Sequence, residues 1–266
     1  MKDGPRDANP SLVRSLDKAL RVLGLLAQEH EDIDLGSLAK QAELPKSTLV
    51  RLLSTMRAHG VIQQNPKTRR YRLGWALVRL GQAAERQFDL PLVLHPFLEQ
   101  LARETGETAS LAVRTGKYAF YVDQALSQNI IRGAPPTGAA LDLHCTAVGK
   151  MLLSNLEESE VEQLIRECGL PQRTEKTITN TARLRKELAT TRSRGYAIDN
   201  EEAERGGRCI AAPIRDGNGA ILAAISITAP TNRPTLDRMA EYVEVVCSIA
   251  EQASQALCSS KTRRKD

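Results

Sequence analysis

Residues 34–60, DLGSLAKQAELPKSTLVRLLSTMRAHG, decide how the first quarter of the chain folds. Asp34 precedes Leu35, Leu38, Ala39 and Ala42, an apolar set at helical spacing. An Asp at that place can cap the free N–H groups of a helix start. Glu43-Leu44-Pro45 then breaks the pattern. Proline suits a first helical turn, where its missing N–H loses no partner, so a new helix is expected to begin at Pro45. Leu49, Leu52, Leu53 and Met56 form its inward stripe, and Gly60 supplies the left-handed residue that ends it. Its outward face carries Lys46, Ser47, Thr48, Arg51 and Thr55, donors and small polar groups near a helix N-terminus, where phosphate is favoured.

Upstream, Leu16, Ala19, Leu20, Leu23, Leu26 and Ala27 predict a helix over about 15–29 with one apolar stripe. Downstream, residues 61–64 and 70–73 flank the turn Asn65-Pro66-Lys67-Thr68 and read as a β-hairpin. Three helices and a hairpin are the layout of a winged helix-turn-helix. In that layout the third helix offers Arg51 to base edges in the major groove. The hairpin presents Lys67, Arg69, Arg70 and Arg72 to phosphates or the minor groove.

Charge supports this reading. The formal net charge is +5. The first 75 residues hold 13 Lys and Arg against 8 Asp and Glu, which accounts for the whole surplus. Between Glu43 and Glu85 there is no acid, yet Lys46, Arg51, Arg57, Lys67, Arg69, Arg70, Arg72 and Arg79 occur. A solvated surface usually intersperses both signs, so an acid-free basic block points to a polyanion. A three-helix protein-interaction module with a basic face is the alternative. Residues 75–89 then form a helix with Trp75, Leu77, Val78, Leu80 and Phe88, too apolar for a solvated linker. It is expected to pack on another helix, from a second subunit or from its own chain.

The 266 residues suggest two domains. No apolar run approaches the roughly 18 residues that span a bilayer, which argues against a membrane partner, and no secretory signal precedes the first helix. Five cysteines without a CxxC pair suggest reduced thiols and a cytoplasmic location. Beyond Pro91 a helix (94–105) precedes short β-like runs at 108–114, 119–122 and 130–132. A Pro- and Gly-rich loop and helices near 147–154, 157–167 and 181–194 follow. A hairpin (208–214 and 220–229) flanks Asp216-Gly217-Asn218-Gly219, and a long helix (235–257) comes last. Such a mixture predicts an α+β domain with a mainly antiparallel sheet.

The order of motifs is similar to that of the IclR family of bacterial transcription regulators. The resemblance spans about residues 11–255 and rests on SLDKALRVLGLLA, LPKSTLVRLLSTM, YRLG, HPFLEQLARETGETASLAV, CTAVGKMLL, RSRGYAIDNEE, RCIAAPI and AAISITAP in sequence. It implies a disordered leader (1–10), a winged helix-turn-helix for double-stranded operator DNA (11–74) and a linker or dimerisation helix (75–89). A GAF/PAS-like effector-binding domain (90–259) and a basic tail (260–266) complete it. It also implies a homodimer, with a dimer of dimers left open. The ligand would be a small organic acid and the output repression of a catabolic operon. Carried over by position, Ala147 and Val148 begin the helix beside the ligand. Asp199 follows the GYAI strand, and Cys209, Ser226 and Thr228 complete the lining. Ser226 and Thr228 share a strand face, so both hydroxyls can donate to one carboxylate. Of the aromatics, Tyr118, Phe120, Tyr121 and Tyr196 lie where a ligand is within reach. The chain departs from the family at Asp142, where many members carry proline.

No cofactor motif appears. Two further readings compete: an enzyme with Cys209 as nucleophile and His144 as base, and a metal-responsive regulator using His144, Cys145 and Cys209. Neither has the spacing such chemistry usually shows.

Overall fold

A computed structural model describes residues 13–29, 31–85, 89–133, 136–233 and 238–262. The chain divides into two compact units, residues 1–88 and 89–266. The expected leader, Phe88 and the end of the basic tail lie outside the described residues.

The first unit contains α1 (Arg14–Gln28), α2 (Leu35–Gln41), α3 (Lys46–Ala58), β1 (Ile62–Gln64), β2 (Tyr71–Leu73) and α4 (Trp75–Glu85). Asp34 caps α2 by accepting from the Gly36 and Ser37 N–H groups at 2.8 and 3.1 Å. Pro45 sits immediately before α3, and Gly60 takes φ +69° after it. Strands β1 and β2 pair antiparallel, and Ile33 adds a bridge to Tyr71. Val22, Leu26, Leu38, Leu49, Leu53, Met56 and Ile62 form the core.

One expectation here needs correction. Leu16 and Leu20 are not inward; each is 57% exposed. The apolar arc of α1 is wider than the core it faces, and Val22 and Leu26 occupy the buried half. The exposed half continues through Val13.

The second unit contains α5 (Asp89–Thr105), β3 (Thr108–Thr115), β4 (Tyr118–Ala125), β5 (Ala140–Leu141), α6 (Ala147–Leu153), α7 (Glu158–Cys168), α8 (Thr181–Arg194), β6 (Ala197–Asn200), β7 (Gly207–Arg215), β8 (Ile221–Pro230) and α9 (Met239–Thr262). Its six strands run β5-β4-β3-β8-β7-β6, every pair antiparallel. Alternation along the strands separates two cores. Leu111, Ile210, Ile225 and Ile227 pack toward α5 and α9. Ala112, Tyr121, Ala197, Ala211 and Ala224 share a core with α6, α7 and α8.

Residues 130–132 are not a strand, and Ile130 is 98% exposed; the outer side of β4 pairs with the short β5 at Ala119 and Phe120. Helix α5 starts at Asp89 rather than Leu94, because Pro91 falls within its first turn and Pro96 is accommodated inside it. The last helix is described over Met239–Thr262, so it absorbs the start of the expected tail, while residues 235–237 of its expected span lie outside the described residues. Among the described residues no helix is long and apolar enough to cross a membrane.

Candidate functional site

Two sets of residues were singled out by the sequence, one in each unit. In the first, Lys46, Ser47 and Arg51 are exposed at the N-terminal half of α3, and Thr48 is half-buried there. The β1–β2 connection exposes Lys67, Arg69 and Arg70, and β2 exposes Arg72. Asn65 shapes that connection: its Oδ1 accepts from the Lys67 and Thr68 N–H groups at 3.0 and 3.2 Å. Arg69 turns the chain with φ +59°. All eight expected basic and polar groups thus sit on one helix and one wing, with Asp32 beside the wing's Asn65 and Asp34 near Arg70.

In the second unit, strand register places the other set on the sheet face toward α6. Asp199 lies opposite Cys209, and Cys209 opposite Thr228. Ala211 and Ser110 flank Ser226 on either side. Ala147 and Val148, both buried, open α6 over this face. Asp199 lies within β6 rather than after it, since the strand runs on to Asn200.

The polar groups here are buried and unevenly satisfied. Cys209 Sγ and Thr228 Oγ1 are 3.3 Å apart. Gln124 Nε2 donates to Ser110 Oγ at 3.1 Å, and the Ser127 N–H donates to Thr108 Oγ1 at 3.2 Å. Ser226 Oγ, by contrast, is buried with no partner at hydrogen-bonding geometry. It is nevertheless close enough to the Tyr121 phenol to act on its proton, as Thr228 is. Burial pushes that phenol well above the usual tyrosine range. Burial also raises Asp199 to about 7, although the Glu202 and Ala203 N–H groups donate to its Oδ1 at 2.7 and 3.3 Å.

Beside Asp199 lies a feature that the sequence reading missed. Lys150, in α6, is fully buried and pairs with Glu202 from the β6–β7 connection. A second carboxylate, Glu187, stands 3.7 Å away. The signal was a single lysine inside the apolar run AVGKMLL, which a lone charge enters only with a partner. Tyr121 was named only as one aromatic within reach, and it alone of the four lies buried against Ser226 and Thr228.

One of the free N–H groups at the start of α6 already has a partner. Thr146 caps the helix, its Oγ1 accepting from the Gly149 N–H at 3.1 Å. Asp142, the departure from the family pattern, bonds Arg173 Nε at 2.6 Å, while its carbonyl accepts the Thr146 hydroxyl. His144 Nε2 engages the Pro171 carbonyl, and burial pushes the Cys209 thiol up to about 12, away from thiolate formation. Among the described residues no three His, Cys, Asp or Glu side chains converge as a metal-binding group.

A winged helix with an exposed basic face, joined in one chain to a helix-flanked antiparallel sheet with a buried polar strip, is the organisation of a ligand-responsive DNA-binding transcription regulator. Comparison with known proteins agrees. The IclR helix-turn-helix domain matches residues 15–66, and the C-terminal domain of the bacterial transcriptional regulator IclR matches residues 82–255. The chain is 35% identical over 246 residues to the transcriptional repressor IclR of Escherichia coli K12, covering 92% of this chain and 90% of that one. It is 34% identical to the regulator BhcR of Paracoccus denitrificans, covering 94% and 89%. Among solved structures, an IclR-type regulator from a Silicibacter species superposes with a TM-score of 0.81 at 27% identity, covering 92% and 96%. The IclR of Thermotoga maritima superposes with a TM-score of 0.67 at 30% identity, covering 93% and 100%. The chain belongs to the IclR family of transcription regulators.

Proposed function

We propose that the chain is a cytoplasmic homodimeric repressor that leaves its operator when a small organic acid enters the sheet face beneath α6. Lys46, Ser47, Thr48 and Arg51 occupy the major groove, with Arg51 reading a base. Lys67, Arg69, Arg70 and Arg72 hold phosphates beside it. Relatives named as repressors support the sign of regulation, and genes for use of the acid are the natural target.

Dimerisation is supported by apolar surface that the first unit leaves in water. Val13, just before α1, and Leu16 and Leu20 on it are exposed, and Trp75, at 74% exposure, lies with Val78 on α4. Each such side chain gains about 1.5–3 kcal/mol when fully buried, so a handful suffices to drive association. A dimer sets two recognition helices on the half-sites of a palindrome. Pairing of dimers into tetramers is the finer alternative, and sedimentation equilibrium distinguishes the two.

The effector reading is carried by the buried Ser226 hydroxyl, which faces the Tyr121 phenol but meets no partner at good hydrogen-bonding geometry. A buried polar atom without a partner costs free energy unless a ligand satisfies it. Ser226 and Thr228 donate to the acid's carboxylate, Ala147 and Val148 wall its carbon skeleton, and Asp199 and Cys209 contact its far end. Ser226→Ala tests this. The variant is expected to bind operator DNA as tightly as wild type, to be no less stable, and to ignore an acid that releases wild type. A destabilised Ser226→Ala protein with normal release by the acid would show that the hydroxyl is structural.

A further inference from the structure

We propose that Gln64 is a positioning residue that locks the wing to the recognition helix, so that helix and wing meet the duplex as one rigid surface. This rests on the DNA-binding face described above. Arg57 lies in the last turn of α3, and its Nη1 donates to Gln64 Oε1 at 2.9 Å. The same amide turns its Nε2 to the Arg69 carbonyl at the wing tip, also 2.9 Å. Only one orientation of the amide serves both partners, because reversing it would set donor against donor and acceptor against acceptor.

What the amide holds is a residue that needs holding. Arg69 is left-handed at φ +59°, a conformation that side-chain-bearing L-residues adopt at a cost. Its N–H donates to the Asn65 carbonyl at 2.9 Å, and the Asn65 N–H donates to the Arg70 carbonyl at 2.8 Å. These bonds close the turn but tie it only to itself. Among the described hydrogen bonds, the Arg57–Gln64–Arg69 chain is what runs from the recognition helix to the tip. The base of the wing is fixed separately, by the Ile33–Tyr71 bridge and by Asn65 Nδ2 donating to Asp32 at 3.4 Å. Arg57, one cation of the acid-free block, therefore acts through Gln64 instead of reaching for a phosphate.

The test uses the full-length chain and a duplex recovered by selection with wild type. Gln64→Met keeps length and loses both hydrogen bonds. It is expected to weaken binding about tenfold. The salt dependence should also become shallower by about 1–2 in slope, as wing phosphate contacts are lost. Discrimination at the base read by Arg51 stays unchanged. Hydroxyl-radical footprints lose the wing's protection and keep that of the helix. Arg69→Ala, damaging in wild type, adds less than about twofold in the Gln64→Met background, as expected where two residues act as one unit. Arg57→Leu breaks the link from the helix side and should lose the same footprint without adding to Gln64→Met. Full additivity, or a Gln64→Met protein with the wild-type slope and footprint, overturns the brace. If joint replacement of Lys67, Arg69, Arg70 and Arg72 by alanine leaves binding and salt slope untouched, the wing does not touch DNA and the DNA-face reading fails with it.

Discussion

Asp199→Asn should stabilise the second unit at neutral and higher pH, a gain that follows from the burial of one carboxyl group. An exposed Asp ionises near 3.8, whereas burial raises Asp199 to about 7 in the folded chain. Below the first value both states hold the proton and nothing is lost. Between the two, the folded chain binds more protons than the unfolded one, so stability falls as pH rises, by up to ~1.4 kcal/mol per unit. The gap of roughly three units caps the loss at ~4 kcal/mol, complete above the folded value. The Lys150 ammonium already favours the charged form and Glu202 opposes it, and both act within that net shift. Asparagine keeps the oxygen that accepts from the Glu202 and Ala203 N–H groups and has no charge to desolvate. For a domain of this size each kcal/mol moves the melting temperature by about 2–4 °C. Calorimetric melts between about pH 5 and pH 8 should therefore show Asp199→Asn pulling ahead of wild type as pH rises, with the curves converging in acid. Parallel pH profiles for the two proteins would refute the reasoning.

Lys150→Met leaves Glu202 and Asp199 buried without their cation, and urea unfolding should show a loss of about 3–5 kcal/mol. Gly133→Ala sets a Cβ 2.5 Å from Thr228 Cγ2, so it should blunt release by the acid in DNA-binding titrations. Adding Thr228→Ser, which removes that methyl group, should restore release; no restoration would mean that the Gly133 contact does not govern the site. Arg51→Ala should cost about 1–3 kcal/mol of operator affinity and relax discrimination at one position in gel shifts across operator variants. Uniform weakening on every sequence would reassign Arg51 to a phosphate.

Much of the first unit was legible because its information is local. The Asp34 cap, the Pro45 start and the Gly60 stop each depend on the residue itself and its next few neighbours. The second unit was read less completely. Residues 130–132 have the apolar content of a strand, but Ile130 and Ile131 stay exposed and join no ladder, which depends on long-range pairing that local composition does not encode. Leu16 and Leu20 have the spacing of core residues, yet the small core of the first unit covers only half of the α1 arc.

The sequence by itself determined the order of elements, the separation of charge between the two units, and the shared strand face of Ser226 and Thr228. Periodicity and net charge are properties of neighbouring residues and survive without a fold. Only the tertiary structure decided that Lys150 meets Glu202, that Ser226 is buried facing Tyr121, that Asp199 is held near neutrality, and that Gln64 ties Arg57 to Arg69. Those facts depend on desolvation and on hydrogen-bond distances between residues brought together by folding, which no linear spacing encodes.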